Sequence, residues 1–136
     1  MMIAIRIRGQ VQLNGSKMST LDSLLLRRKY TCIVFDKKDL YKFNTIRELI
    51  SFGEVDDATL KMILSKRGMK DKKNLENVDE IVKGLNSGKT LKEMGVTPYL
   101  RLHPPIGGFK KSTKLPYPQG ILGQNKDIVA LVKKML

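Results

Sequence analysis

The chain has 136 residues and carries 26 Lys and Arg against 13 Asp and Glu, which gives a net charge of +13. Hydrophobic residues make up 41% of the chain, enough for a modest core, and this excludes a disordered tail. One cysteine and one histidine exclude a disulfide framework and a cysteine-based zinc site, and they disfavour a histidine-based triad. A charge excess of this size is typical of proteins that bind a polyanion, either nucleic acid or an anionic membrane surface.

The first element is predicted to be a strand. Isoleucines alternate with other residues from Ile3 to Ile7, and the pattern can continue through Val11 and Leu13. A period of two is typical of a strand with one buried face. On this interpretation, the basic side chains between the isoleucines face outward.

A helix, a strand and a second helix follow. Ser19 or Thr20 can cap the first helix, and the basic run 27–29 closes it, where cations suit the negative end of the helix dipole. The β-branched, apolar run 31–35 predicts a central strand. Apolar residues spaced between positions 40 and 50 predict the second helix.

With a short third strand at 52–55, the order strand, helix, strand, helix, strand predicts an α+β fold with helices on one face of a small antiparallel sheet. We place this core at residues 1–56 and an extension at 57–136, packed with the core as one unit. The extension is predicted to hold a helix ending at Gly68, a capping box from Thr90 to Glu93, and a C-terminal helix.

Residues 98–123 form the most unusual segment, because they hold all five prolines and several glycines. Neither an ordinary helix nor a central strand is expected there. The 33 residues between Glu93 and Asp127 contain no acidic side chain. Cations are interleaved with aromatic rings, which suits an RNA ligand, because cations meet phosphates and rings stack on exposed bases. The alternative is a solvated surface loop. The candidate RNA-binding residues of this segment are Arg101, His103, Lys110, Lys111 and Lys114.

Basic residues nearer the N-terminus are weaker candidates. Arg6, Arg8 and Lys17 lie in and after the first strand, and Arg27 and Arg28 close the first helix. Each group can contact phosphates, and each can equally be an ordinary solvated surface or helix end.

Other functional sites are not expected. The glycine spacing does not match a phosphate-binding loop, and Asp56 and Asp57 are more simply explained by opening a helix than by holding a metal. Cys32 lies in an apolar run and is expected to be a buried thiol. No stretch approaches the ~20 apolar residues that span a bilayer. We therefore expect a soluble cytoplasmic protein with no cofactor, metal, membrane partner or small-molecule substrate.

The run Arg-Leu-His-Pro-Pro-Ile-Gly-Gly-Phe-Lys at 101–110 resembles the signature of a universal large-subunit ribosomal protein family, the one numbered thirty in bacteria and archaea and seven in eukaryotes. The opening at 5–9, the Gly-Glu-Val-Asp step at 53–56 and the run at 117–123 match the same archaeal pattern. Ile106 departs from it, because the family usually has Arg at this position.

The resemblance implies a ferredoxin-like α+β core and the extra lobe of the archaeal and eukaryotic members. It also implies that the chain binds large-subunit rRNA, lies in the ribosome beside neighbouring large-subunit proteins, and supports assembly and translation without being an enzyme. In the Pro-Pro-Ile-Gly-Gly element, the binding role is carried over to Arg101, Lys110 and Lys111. Two alternatives remain: a basic nucleic-acid-binding regulator outside the ribosome, and a phosphate-ester enzyme, for which His, Cys and paired carboxylates are scarce.

Overall fold

The computed structural model describes residues 1–9 and 13–136. Val11, to which the first strand could have extended, lies outside these residues, and Leu13 is not in a strand. The elements in chain order are β1 (Met2–Arg6), α1 (Gly15–Ser23), β2 (Thr31–Phe35), a 3-10 helix (Lys37–Ile46), β3 (Ile50–Glu54), α2 (Asp57–Arg67), β4 (Met69–Lys70), β5 (Lys73–Asn74), α3 (Val78–Asn86), β6 (Tyr99–Arg101), β7 (Ser112–Pro116), β8 (Gly120–Gln124) and α4 (Ile128–Met135).

Six strands form one sheet in the order β6-β2-β1-β3-β8-β7, and β4 pairs with β5 in a separate hairpin. The pairings among β1, β2, β3 and β6 are antiparallel, whereas β8 runs parallel to both β3 and β7. The α+β class and the ferredoxin-like order of the core are therefore confirmed. The sheet is wider than the sequence pattern predicts, because three strands of the extension join it.

Both faces of the sheet are covered, although the sequence predicts one buried face for β1. Ile3, Ile5 and Ile7 contribute to an apolar cluster with residues of α2, α3 and α4. Met2 and Ala4, on the opposite face, pack in a second cluster with residues of α1 and the 3-10 helix. Alternate side chains of a strand point to opposite faces, so every residue of β1 is buried between two helical layers.

The predicted second helix is a 3-10 helix, and it ends earlier than predicted. Its apolar residues Leu40, Phe43 and Ile46 are spaced by three, and Leu49 continues that spacing. Because a 3-10 helix has three residues per turn, this spacing places them above one another on one side. Phe43 and Ile46 are fully buried there, and the chain enters β3 at Ile50.

The first helix begins and ends earlier than predicted. Asn14, rather than Ser19 or Thr20, is its N-cap, and the Asn14 side chain accepts a hydrogen bond from the backbone N–H of Lys17 at 3.0 Å. Leu25 has a positive φ of 64° just beyond its end, and the N–H of Leu26 donates to the carbonyl of Leu21. The basic run 27–29 therefore lies in the loop before β2 and not in the helix.

In the extension, two local predictions are confirmed and one strand was not predicted. Helix α2 ends at Arg67 with Gly68 as its C-cap, as predicted. The Thr90 capping box is present, since Thr90 and Glu93 exchange hydrogen bonds between backbone N–H groups and side chains at 3.1 and 3.3 Å. The expectation of no central strand within 98–123 is wrong, because β8 is paired on both sides and buries Ile121 and Leu122.

Replacing Gly53 with Ala is expected to destabilise the fold. A Cβ at this position would overlap the backbone oxygen of Asn125 and lie 2.8 Å from Cγ2 of Ile128. Overpacking of this kind costs about 1–3 kcal/mol. Urea unfolding followed by circular dichroism measures the loss. Gly15→Ala is the matched control, because a Cβ at Gly15 meets nothing within 4 Å. Equal stabilities for the two variants would contradict this account of Gly53.

Candidate nucleic-acid interface

Arg6 ends β1 with its side chain buried, at 2% exposure. Its guanidinium donates from Nη1 to the carbonyls of Leu26 and Arg27 at 2.7 and 2.8 Å, and from Nε to the carbonyl of Arg8 at 3.0 Å. Burial lowers the pKa of Arg6, and the negative charge of Asp22 opposes that shift. The prediction that Arg6 faces outward is therefore wrong, because α1 and the following loop cover this face of β1.

The strand register brings several of the predicted residues to one end of the sheet. Arg6 lies opposite Ile50 of β3, and Thr31 at the start of β2 lies opposite Arg101 at the end of β6. The carbonyl of Arg6 accepts a hydrogen bond from Tyr30 at 2.8 Å. We call this end, which carries residues 6–8, 27–31, 47–51 and 101, the Arg6 end.

A groove at this end joins two stretches that are 70 positions apart in the chain. Arg27 and Arg28 from the loop before β2 face it together with Arg101 of β6, and all three are exposed. The Arg101 guanidinium lies 5.9 Å from the ring centroid of Tyr99. Among the described residues that line this groove, none is acidic. We call it the arginine groove; its volume is about 250 Å³ and its lining is Leu25, Arg27, Arg28, Thr31, Tyr99 and Arg101.

A second and larger cavity lies between residues 8, 47 and 48 on one side and β7 and β8 on the other. Arg8 and Lys114, two of the predicted residues, line it together with Arg47, which the sequence analysis did not single out. Glu48 is its one acidic lining residue, and Lys17 is ion-paired with Glu48. We call this cavity the Tyr117 pocket; its volume is about 570 Å³ and its lining is Arg8, Arg47, Glu48, Lys114, Pro116, Tyr117, Leu122, Gly123 and Gln124.

The Pro-Pro-Ile-Gly-Gly loop is held against the end of α4. The backbone N–H of His103 donates to Met135 at 2.9 Å, and that of Ile106 donates to Lys134 at 3.0 Å. The Phe109 ring stacks on Tyr30 with a centroid distance of 6.3 Å, which joins the loop to the Arg6 end. These contacts hold the side chain of Ile106 in solvent, at 81% exposure.

The lysines of the acid-free segment differ in their surroundings. Lys110 is exposed near Lys134, and desolvation together with the charge of Lys110 lowers the pKa of Lys134. The Lys111 ammonium lies 3.3 Å from a carboxylate oxygen of Asp127 and 4.7 Å from the Tyr117 ring centroid. Lys111 is thus paired within its own chain, as Lys17 is.

The structure therefore brings Arg27, Arg28 and Arg101 together in the arginine groove. Arg8 and Lys114 lie together in the Tyr117 pocket. His103 and Lys110 lie on the loop between them in sequence, apart from the lining of both grooves. Arg47 and Lys134 were not predicted from the sequence. Each lies next to one or two other charged residues, in a pattern that is typical of an ordinary helix surface. Only the pairing of distant strands and the contact of the loop with α4 reveal their positions.

Residues 1–9 and 13–136 were predicted to hold no metal site and a buried Cys32. This part of the chain contains no group of three or more His, Cys, Asp or Glu arranged to hold a metal ion. Cys32 is fully buried as predicted, and burial raises the pKa of its thiol to about 12. Among the same residues, no helix has the length and apolar character needed to cross a membrane.

The fold and the interface define a small, basic α+β protein with a groove of exposed arginines at one end of a six-stranded sheet. No family model matches the chain. Curated relatives do: the large ribosomal subunit protein uL30 of Archaeoglobus fulgidus is 31% identical over 152 residues, covering 99% of both chains. The uL30 proteins of Korarchaeum cryptofilum and Aeropyrum pernix are 31% and 34% identical and cover 97% of this chain, with 93% and 96% of their own lengths matched.

These identities extend over nearly the whole chain, and the chain belongs to the uL30 family of large-subunit ribosomal proteins. The resemblance drawn from the Pro-Pro-Ile-Gly-Gly element is confirmed. Membership of this family identifies a structural protein rather than an enzyme.

Replacing Arg6 with Ala is expected to lower the free energy of unfolding by about 3 kcal/mol, because three backbone carbonyls lose a charged hydrogen-bond donor. Arg6→Lys is expected to recover only part of this loss, since one ammonium cannot reproduce the guanidinium fork. Thermal unfolding at neutral pH measures both. Arg8→Ala removes the same charge from an exposed side chain and serves as the control. An Arg6→Ala variant as stable as Arg8→Ala would contradict the role given to Arg6.

Proposed function

We propose that this chain binds large-subunit rRNA through the cations of its Arg6 end and its acid-free loop. In this proposal it is a structural constituent of the large ribosomal subunit and supports assembly and translation. The family membership supports the ribosomal role, and the arginine groove is the observation that carries the binding role. The neighbouring large-subunit proteins are its proposed further partners.

The chemistry of the arginine groove suits a phosphate backbone. Arginine presents a planar fork of N–H donors that can bind phosphate oxygens in pairs, and its charge persists at all physiological pH values. Arg27 and Arg28 stand on a loop whose carbonyls are hydrogen-bonded to Arg6, and Arg101 stands on β6. Because their backbones are already fixed, these cations lose less entropy on binding than cations on a free loop.

The overall charge supports the same partner. The net charge is +13, and 33 consecutive residues between Glu93 and Asp127 have no acidic side chain. Cations that replace the counterions of a nucleic acid release them, which favours binding at low salt. Within the acid-free segment, His103, Lys110 and Lys114 are the proposed contacts. Lys111 and Lys17 are ion-paired with Asp127 and Glu48, so each can bind a phosphate only after it leaves its acidic partner.

We further propose that residues 1–56 and 57–136 act as one binding unit. Strand β6 of the extension pairs with β2, and β8 pairs with β3. One apolar cluster draws on Ile3 and Ile5 of β1 and on residues of α2, α3 and α4. The arginine groove itself is made from both parts of the chain, so neither part alone contains it.

Binding to a large-subunit rRNA fragment is expected to depend steeply on salt. If roughly six to ten phosphates are contacted, the affinity falls by about a thousandfold or more between about 50 and 200 mM salt. Filter binding or fluorescence anisotropy over this range measures the slope. An affinity that hardly changes would contradict an electrostatic interface.

The arginine groove is expected to matter more than an equal charge elsewhere. The triple variant Arg27→Ala, Arg28→Ala, Arg101→Ala is expected to bind the rRNA fragment at least about tenfold more weakly than the wild type. The control is the triple variant Lys70→Ala, Lys72→Ala, Lys73→Ala, which loses the same charge from the exposed β4–β5 hairpin. Equal losses would mean that net charge alone drives binding, and the groove would then have no special role.

A further inference from the structure

The Tyr117 pocket has the dimensions of a ligand site rather than of a simple phosphate-binding surface. Its volume of about 570 Å³ falls within the roughly 300–1,000 Å³ that is usual for small-molecule sites. The arginine groove, at about 250 Å³, is smaller and lined by cations without a carboxylate. The two sites therefore differ in both size and chemistry, and they call for separate explanations.

One wall of the pocket is held by backbone hydrogen bonds and is partly apolar. The backbone N–H of Tyr117 donates to the carbonyl of Leu122 at 2.9 Å, which holds the chain after β7 against β8. Leu122 is buried, and Gly123 is paired with Ser51 of β3. The Lys111 ammonium lies 4.7 Å from the Tyr117 ring centroid on one face, so the opposite face is the surface on which a nucleobase can stack.

Cations from three separate parts of the chain surround this wall. Arg8 follows β1, Arg47 lies between the 3-10 helix and β3, and Lys114 is in β7. All three are exposed. Cations at the rim of a site that also offers a stacking surface suit a nucleotide, whose phosphate they can bind while its base lies against the ring.

The distinguishing feature of the pocket is its carboxylate. Glu48 is half exposed and is paired through Oε1 with the ammonium of Lys17. A carboxylate accepts hydrogen bonds and donates none, and its two oxygens provide about four lone-pair positions. The ion pair with Lys17 leaves Oε2 and the second lone pair of Oε1 free to accept hydrogen bonds, so the pocket suits a ligand with hydrogen-bond donors.

Guanine is the base whose donors match this carboxylate. Its Watson–Crick edge presents two neighbouring donors, the N1–H and the N2 amino group, and a carboxylate can accept from both at once. Adenine and cytosine each present an amino group beside a ring-nitrogen acceptor, and uracil presents one N–H between two carbonyls. Each of these would place an acceptor against Glu48.

We infer that the Tyr117 pocket binds an unpaired guanine nucleotide of the RNA, with its base on Tyr117, its donor edge on Glu48 and its phosphate among Arg8, Arg47 and Lys114. This inference rests on the proposed function, because it assigns a specific nucleotide to the same RNA ligand. Single-stranded nucleotides with exposed edges are where proteins read RNA sequence.

The test uses the full chain and short single-stranded oligoribonucleotides that are all uridine except for one central nucleotide. Fluorescence anisotropy at one salt concentration compares central G with central A, C and U. A bidentate base contact predicts that the G oligonucleotide binds about tenfold more tightly than the others. Tyr117→Ala is expected to weaken the binding of all four.

The decisive variant is Glu48→Gln, whose amide replaces one acceptor by a donor. The preference for G is expected to fall below about twofold, while binding of the other oligonucleotides stays the same or tightens with the lost negative charge. Glu76→Gln makes the same charge change at an exposed position outside the pocket lining and is expected to keep the preference.

The outcomes separate this inference from the proposed function. No preference for G in the wild type, or a preference that survives Glu48→Gln, overturns the guanine assignment, even if rRNA binding still depends on the arginine groove. Oligonucleotide binding that is unaffected by Tyr117→Ala would likewise remove the nucleotide from this pocket. If the protein did not bind rRNA at all, the proposed function would be wrong, and the guanine assignment that rests on it would be wrong as well.

Discussion

The candidate interface depends on one buried guanidinium. Arg6 donates three hydrogen bonds to the carbonyls of Leu26, Arg27 and Arg8, and so joins the end of β1 to the loop before β2. Removing this cation from water is costly, and the hydrogen bonds together with the charge of Asp22 offset that cost. The buried cation thereby fixes the backbone that carries exposed cations. Only the exposed ones remain available to a ligand.

The connection continues through Tyr30. Its N–H donates to the carbonyl of Arg6 at 2.8 Å, and its own carbonyl accepts from Leu102 at 3.0 Å. The Phe109 ring then stacks on Tyr30 and brings the glycine-rich loop to the same end. Tyr30 adopts a positive φ of 63°, a conformation that is uncommon for a residue with a side chain. A short series of backbone and ring contacts therefore links β1, β6 and the Pro-Pro-Ile-Gly-Gly loop.

Local patterns predicted part of the local structure, although they placed the N-cap of α1 at Ser19 or Thr20 and not at Asn14. The end of α2 at Gly68 and the Thr90 capping box depend on residues a few positions apart, and both were predicted. Strand β8 was missed because glycine and proline dominate its surroundings, and its burial comes from pairing with β3 some 70 positions away. The outward face assigned to Arg6 was wrong for a similar reason. Alternation along one strand says which side chains share a face and nothing about which helices cover it.

The candidate site was also only partly predictable from the sequence. Arg27, Arg28 and Arg101 were each named from the sequence, but only the register that pairs Thr31 with Arg101 brings them together. The register of β1 with β3 places three acidic residues at the opposite end of the sheet. Glu54 lies opposite Met2 at the far end of β1, and Asp56 and Asp57 follow directly.

Eight of the 13 acidic residues fall between Glu54 and Glu93, whereas the Arg6 end receives the three arginines of the groove. Nine Lys and Arg residues in the same range offset these acids, so the three exposed arginines of the arginine groove are the stronger attraction for a polyanion. The arginine groove therefore favours one orientation of the protein on its ligand before any specific contact forms.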